Sequence, residues 1–184
     1  MTLGELARET ERPHGNVASE LTLAQERALS TDIFLSFLFL TILNGYTPDE
    51  IARDFNVPPR DMDAALLRLE RLALIDRLRG GRVRPLVDRS VIWSKGPMRA
   101  LFEERMKPQF MEMDFAADAA IYSSEMLKLS AQGAAMLAEL IEKFRRDVQA
   151  MAERDRDTTH LPRAWYGMLC AMREMDMTPI DRGL

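Results

Sequence analysis

The chain has 184 residues, 47% of them hydrophobic, with 25 Lys or Arg, 29 Asp or Glu and one cysteine. That hydrophobic share excludes a globally disordered chain, and a lone cysteine excludes an internal disulfide framework, as expected in a reducing compartment. The net charge of −4 argues against a nucleic-acid binder only if it is evenly spread, and it is not: residues 1 to 75 hold 7 basic and 12 acidic side chains, residues 76 to 95 hold 6 and 2, and residues 96 to 184 hold 12 and 15. One short segment is basic, and a nucleic-acid footprint depends on local charge.

Met1 to Thr10 contains Glu5, Arg8 and Glu9 and lacks the basic and apolar regions of a secretory signal, so a cytoplasmic protein is expected. Glu11 to Glu20, with Pro13 and Gly15, has little pattern. Residues 1 to 20 are therefore expected to be a flexible arm. From Leu21 the spacing of Leu23, Arg27, Ile33, Phe37, Leu40 and Leu43 predicts helix, closed by Asn44 and Gly45 and broken near Ser30, Thr31 and Asp32, which can cap a new start. The apolar run Ile33 to Leu43 is too short to span a bilayer, which takes about 20 residues. It reads as a buried helix.

Thr47, Pro48 and Glu50 fit the N-cap, the first helical position and the far member of a capping box. A short helix follows, with Ile51, Ala52 and Phe55 on its apolar face, ended by Asn56, Val57, Pro58 and Pro59. A third helix, Arg60 to Ala73, places Met62, Ala65, Leu66, Leu69, Leu72 and Ala73 on one face. The period then changes. Leu74 to Arg79 and Arg82 to Val87 flank Gly80 and Gly81, which predicts two strands joined by a tight turn, with Pro85 at an edge or bulge. In that ribbon Arg77, Arg79, Arg82 and Arg84 alternate with apolar residues, so four guanidinium groups are expected on one side.

Pro97 to Phe110 reads as helix, with Met98, Leu101, Phe102 and Met106 on one face, and Ala131 to Arg154 as a strong amphipathic helix through Met136, Leu137, Leu140, Ile141, Phe144, Val148 and Met151. Residues 121 to 129 fit a strand or a helix end. Ala164 to Met172 fits a buried strand or a helix. Cys170 in that run reads as a buried small hydrophobe, and Trp165 and Tyr166 as core or interface anchors.

A capped short helix, a tight turn, a second amphipathic helix and a basic glycine-tipped hairpin together resemble the winged helix-turn-helix domains of bacterial regulators of the MarR, ArsR and Lrp type. The match runs over Thr47 to Val57, Arg60 to Ile75 and Arg77 to Arg84, about a third of the chain. The resemblance implies a predominantly helical α+β protein in three parts: the arm, a winged helix-turn-helix DNA-binding domain over 21–95, and a strand-helix-strand dimerisation or effector region over 96–184. It implies a dimeric, sequence-specific transcriptional regulator, a repressor for example, bound to double-stranded DNA. Helix 60–73 would enter the major groove and the arginine wing 77–84 would lie on the backbone or minor groove. The DNA-contacting residues are then Thr47, Arg60, Ala64, Leu67, Arg68 and Arg71, with Arg77, Arg79, Arg82 and Arg84 in the wing.

The same helix also carries Asp61, Asp63 and Glu70 and so is neutral overall. Attraction to phosphate would come from the wing. A protein-interaction or assembly module without DNA binding is the alternative, since a fold does not decide its use. For dimerisation the candidates are the helix around Ile33 to Leu43 and the helix Ala131 to Arg154. Met98, Met106, Met111, Met113, Met126, Met168, Met172 and Met175 could line an effector pocket or fill a core. No enzyme is expected: the two histidines, His14 and His160, lack partners at metal-ligand spacing, no nucleophile or phosphate-loop motif occurs, and Asp155, Asp157 and His160 read as a solvated loop. Neither a metal nor a cofactor is expected.

Overall fold

The structure is a computed structural model that describes residues 18, 20–89, 96–117 and 120–175. It is mostly helical, with one small two-stranded antiparallel hairpin. The chain divides into two compact units, Met1–Pro108 and Gln109–Leu184.

In the first unit α1 (Leu23–Ser30) begins at Thr22 in a complete capping box: the Thr22 hydroxyl accepts from the Gln25 N–H while the Gln25 side chain accepts from the Thr22 N–H. The expected break falls where Asp32 caps α2 (Ile33–Leu43), its carboxylate accepting from the Leu35 N–H at 3.0 Å. Asn44 and Gly45 end α2, the glycine at φ 88°. Thr47 caps α3 (Pro48–Asp54), accepting from the Glu50 N–H at 3.2 Å. Asn56, at φ 51°, turns the chain toward α4 (Pro59–Arg71); asparagine is among the few side chains that tolerate that left-handed geometry.

The third helix thus ends two residues before the expected Ala73. That residue takes φ 52° and is exposed, and the Leu74 N–H reaches back to the Leu69 carbonyl at 3.0 Å. β1 (Ile75–Arg77) and β2 (Val83–Pro85) follow, in the register Ile75 with Pro85, Asp76 with Arg84 and Arg77 with Val83. The loop between them is one residue longer than a tight two-residue turn: Leu78 donates to the Arg82 carbonyl at 2.8 Å across Arg79–Gly81. Gly80 and Gly81 hold φ of 75° and 74° there, which suits residues without a Cβ.

The core lies around α2. Leu29, Leu38, Phe39, Ile51, Leu69 and Leu74 are fully buried, and Met62, Leu66, Ile75, Val87 and Met98 belong to the same cluster. Each large side chain so buried stabilises the fold by about 1.5–3 kcal/mol. Phe55 departs from its expected place, being 43% exposed with its ring edge-on to Phe37 at 4.7 Å. Polar groups inside are satisfied: Ser36 donates to the Leu29 carbonyl at 2.6 Å, Gln25 to the Leu72 carbonyl at 2.8 Å and Arg89 to the Leu43 carbonyl at 2.6 Å. The buried Glu26 carboxylate accepts from the Met98 N–H at the start of α5 (Pro97–Leu101). With Met98 in this core, the first unit runs past the boundary expected at residue 95.

Beyond α5 the expected helix to Phe110 is interrupted by a wider π turn, Phe102–Met106, before α6 (Lys107–Met111). Pro108 lacks an N–H and its ring crowds the preceding carbonyl, so the ordinary ladder cannot pass through it. Lys107 bonds the Phe102 carbonyl instead. Most of the expected arm, residues 1–17 and 19, lies outside the described residues, as do residues 90–95 of the expected DNA-binding domain. Ala18 does not behave as a free arm: it donates to the Leu86 carbonyl at 3.0 Å and accepts from the Asp88 N–H at 2.8 Å, in a parallel bridge beside Val87.

The second unit is built on α7 (Ala131–Thr158), four residues longer than expected and capped by Ser130, which accepts from the Gly133 N–H. The expected strands on either side are absent. Residues 120–130 and 162–175 have no regular secondary structure, and Ile121, Trp165, Tyr166 and Cys170 are exposed. Paired strands need a neighbouring strand to satisfy their backbone groups, and among the described residues no strand pairing involves these segments. Met106, Met111, Met113, Met126, Met168, Met172 and Met175 are also exposed, whereas Met98 is buried in the first unit.

Replacing the fully buried Leu69 by alanine is expected to destabilise the fold by about 2–5 kcal/mol, whereas Leu67→Ala on the exposed face of α4 changes it by about 0.5 kcal/mol or less. Urea unfolding of the two variants checks the assignment of faces. On α7, Lys143 donates to Asp147 at 2.6 Å and holds that carboxyl below its ordinary value by hydrogen bond and charge, with Arg146 and Arg154 adding to the effect. The folded value lies under the unfolded one, so the favourable contribution is full above the ordinary carboxylate range and is lost as pH falls through the lowered value. An NMR titration is expected to find the Asp147 midpoint below that of an unpaired aspartate and to find it raised in Lys143→Ala.

Candidate nucleic-acid interface

Within the first unit, α4 turns two faces in opposite directions. Met62, Ala65, Leu66 and Leu69 are buried, while Arg60, Ala64, Leu67, Arg68 and Arg71 are exposed. This is the division that the 3.6-residue period predicts. Leu67 is 38% exposed, so the outward face mixes an apolar centre with arginines at both ends. Thr47 stands apart from that face as the exposed cap of α3, with its hydroxyl occupied by the Glu50 N–H.

The arginines are not equivalent. Arg68 is bonded to Asp32 at 2.7 Å, joining α4 to the first turn of α2. Arg77 reaches from β1 to Asp63 on α4 at 2.9 Å. Arg84 pairs with Asp76, its direct cross-strand partner. Among the described residues no ion pair holds Arg60, Arg71, Arg79 or Arg82. Two of these, Arg79 and Arg82, flank the glycines at the tip of the hairpin.

The expectation of four guanidinium groups on one side of the ribbon fails. Residues paired directly across an antiparallel ladder share a face; Arg77 and Val83 therefore lie on one face, with Asp76 and Arg84 on the other. A two-residue turn at Gly80 and Gly81 would have set Arg77 opposite Arg84. The extra loop residue shifts the register by one, and a one-residue shift moves a strand's side chains to the other face.

Between α3, α4 and the hairpin lies a groove of about 300 Å³. Ala52, Met62, Leu66 and Val83 supply apolar lining, while Asp49, Asp63, Arg77 and Arg82 supply charge. The Asp63–Arg77 pair therefore ties the hairpin to α4 beside the exposed face. Sequence reading missed the carboxylates Asp32, Asp63 and Asp76 as partners of the arginines. No local signal marks the first two, but Asp76 opposite Arg84 follows once the loop length is known.

Among the described residues no cluster of three or more His, Cys, Asp or Glu could hold a metal ion, and no helix is long and apolar enough to cross a membrane. No family model, no curated protein and no solved structure matches the chain.

The Asp63–Arg77 pair is open to water, with side chains 71% and 38% exposed. A double-mutant cycle of Asp63→Ala and Arg77→Ala is expected to give a coupling of about 1 kcal/mol or less, shrinking further in high salt. A larger, salt-insensitive coupling would show a desolvated pair.

Proposed function

We propose that this chain is a winged helix-turn-helix transcriptional regulator that binds double-stranded DNA sequence-specifically as a homodimer. In this reading α3 and α4 are the helix-turn-helix, α4 enters the major groove and the β1–β2 hairpin is the wing. The observation that carries it is the outward face of α4, where Arg60 and Arg71 have no ion pair among the described residues, beside a hairpin tip where the same holds for Arg79 and Arg82. Free guanidinium groups can fork onto guanine edges or neutralise phosphate, while those already bound to carboxylates must first give up a partner. Two-fold association would bring two such faces to half-sites about one helical turn apart. The methionines that could line an effector pocket or fill a core stand mostly exposed, so the proposal does not include an effector.

One observation favours a protein-interaction module instead. Asp63 and Asp76 neutralise two of the four hairpin arginines, and Asp61 and Glu70 remain on α4 to repel a phosphate backbone. The proposal keeps DNA because, among the described residues, Arg60 and Arg71 on α4 and Arg79 and Arg82 at the hairpin tip lie without an ion pair on neighbouring elements of one unit.

Selection from a genomic DNA library at low salt, followed by binding measurements over a range of salt, tests the reading. Arg79→Ala with Arg82→Ala is expected to weaken binding across all sequences and to lower the salt slope by about 2, roughly one for each lost phosphate contact. Arg60→Ala or Arg71→Ala is expected to change which sequences are selected. Failure of the unaltered protein to enrich any DNA would contradict the proposal and favour the interaction module.

A further inference from the structure

The second unit has surface without an interior. None of its described residues is buried, and nineteen of its large hydrophobics, from Met111 to Met175, are exposed. At roughly half exposure each, they present on the order of 2,000 Å² of apolar surface. The largest apolar patch on a monomer is typically about 300–600 Å², and a stable interface takes about 800 Å² from each partner.

On α7 the pattern names a partner. Ala134, Leu137, Ile141, Phe144, Val148 and Met151 alternate steps of three and four residues, the spacing of a coiled-coil seam. Phe144 and Met151 are 50% and 56% exposed, and Met136 and Leu140 widen the stripe at 59% and 61%. Glu139, Glu142, Lys143 and Arg146 fall on the face away from that seam, and the charge within it is Asp155, four residues beyond Met151. A parallel second copy would bring the two Asp155 side chains together where the seam continues. An antiparallel copy in full overlap keeps the two Asp155 side chains apart, at opposite ends of the pair. It also stacks Ala134 on Met151, Leu137 on Val148 and Ile141 on Phe144 without leaving an apolar position over.

We propose that α7 is the dimerisation helix and that it pairs antiparallel with α7 of a second copy of this chain, centred between Glu142 and Lys143. The second copy supplies the core that the single unit lacks. The inference rests on the dimeric part of the proposed function and is independent of DNA binding. It selects α7 over α2, the other candidate for the interface, because α2 already buries seven of its residues inside its own unit.

The test uses the full chain with Cys170→Ser and a spin label at Met151→Cys. Light scattering at micromolar concentration is expected to give twice the chain mass. The two labels should lie about 25 Å apart along the helix axis, the length of the 17 residues from 134 to 151 at 1.5 Å each. A label separation near 10 Å would mean parallel packing and would overturn the proposal, as would a monomeric mass or a distance set by some other interface. Ile141→Glu with Phe144→Glu should reduce the mass to that of one chain, and an unchanged dimer would likewise contradict the seam. Loss of DNA binding in a protein that still gives the dimer mass and the 25 Å distance counts against the DNA reading and leaves this inference standing.

Discussion

From Ile33 to Leu43 the chain carries no charge at all, and a helix that is apolar all round has to be covered by other parts of the protein. Much of the first unit follows from that demand. Helices α1, α3, α4 and α5 and the hairpin contribute to the cluster around α2, and the polar groups drawn inward are each answered by a backbone partner, as Ser36 is by Leu29. Covering α2 also fixes which face of α4 is left over. Met62, Ala65, Leu66 and Leu69 turn toward the core, so Arg60, Ala64, Leu67 and Arg71 turn away from it.

The hairpin is held by a different and weaker kind of force. Its exposed ion pairs contribute little to stability, yet they decide which cations are free. Arg77 is engaged by Asp63 and Arg84 by Asp76, and the unpaired charge moves to the tip. The basic segment recognisable from charge counting is thus narrower in practice than its net charge of +4 implies.

Helix starts and stops were legible in the sequence because they depend on near neighbours. Asp32, Thr47, Pro48 and Gly45 each act within a turn of their own position, and the amphipathic face of α4 needs only its own period. The arginine faces were not legible, since they depend on whether the loop at Gly80 holds two residues or three, and composition leaves that choice open. The pairing of Ala18 beside Val87 was hidden for a related reason: a single backbone bridge between distant segments carries no side-chain pattern. Apolar runs at 121–129 and 164–172 suggested strands, but an apolar run reports a need for burial and does not say which chain supplies the cover. Among the described residues of one copy that need is unmet, with Ile121, Trp165 and Tyr166 exposed, and the same pattern on α7 is what points to a second one.

In the proposed function, DNA is met by the outward face of α4 and the tip of the hairpin. The most direct test follows backbone amide signals by NMR as a selected duplex is added to the full-length protein. The account predicts that the perturbed amides cluster in Pro59–Arg71 and at Leu78 to Arg82, with α7 left unchanged. Perturbation confined to α7 or to the exposed segments of the second unit, with the α4 face silent, would contradict it.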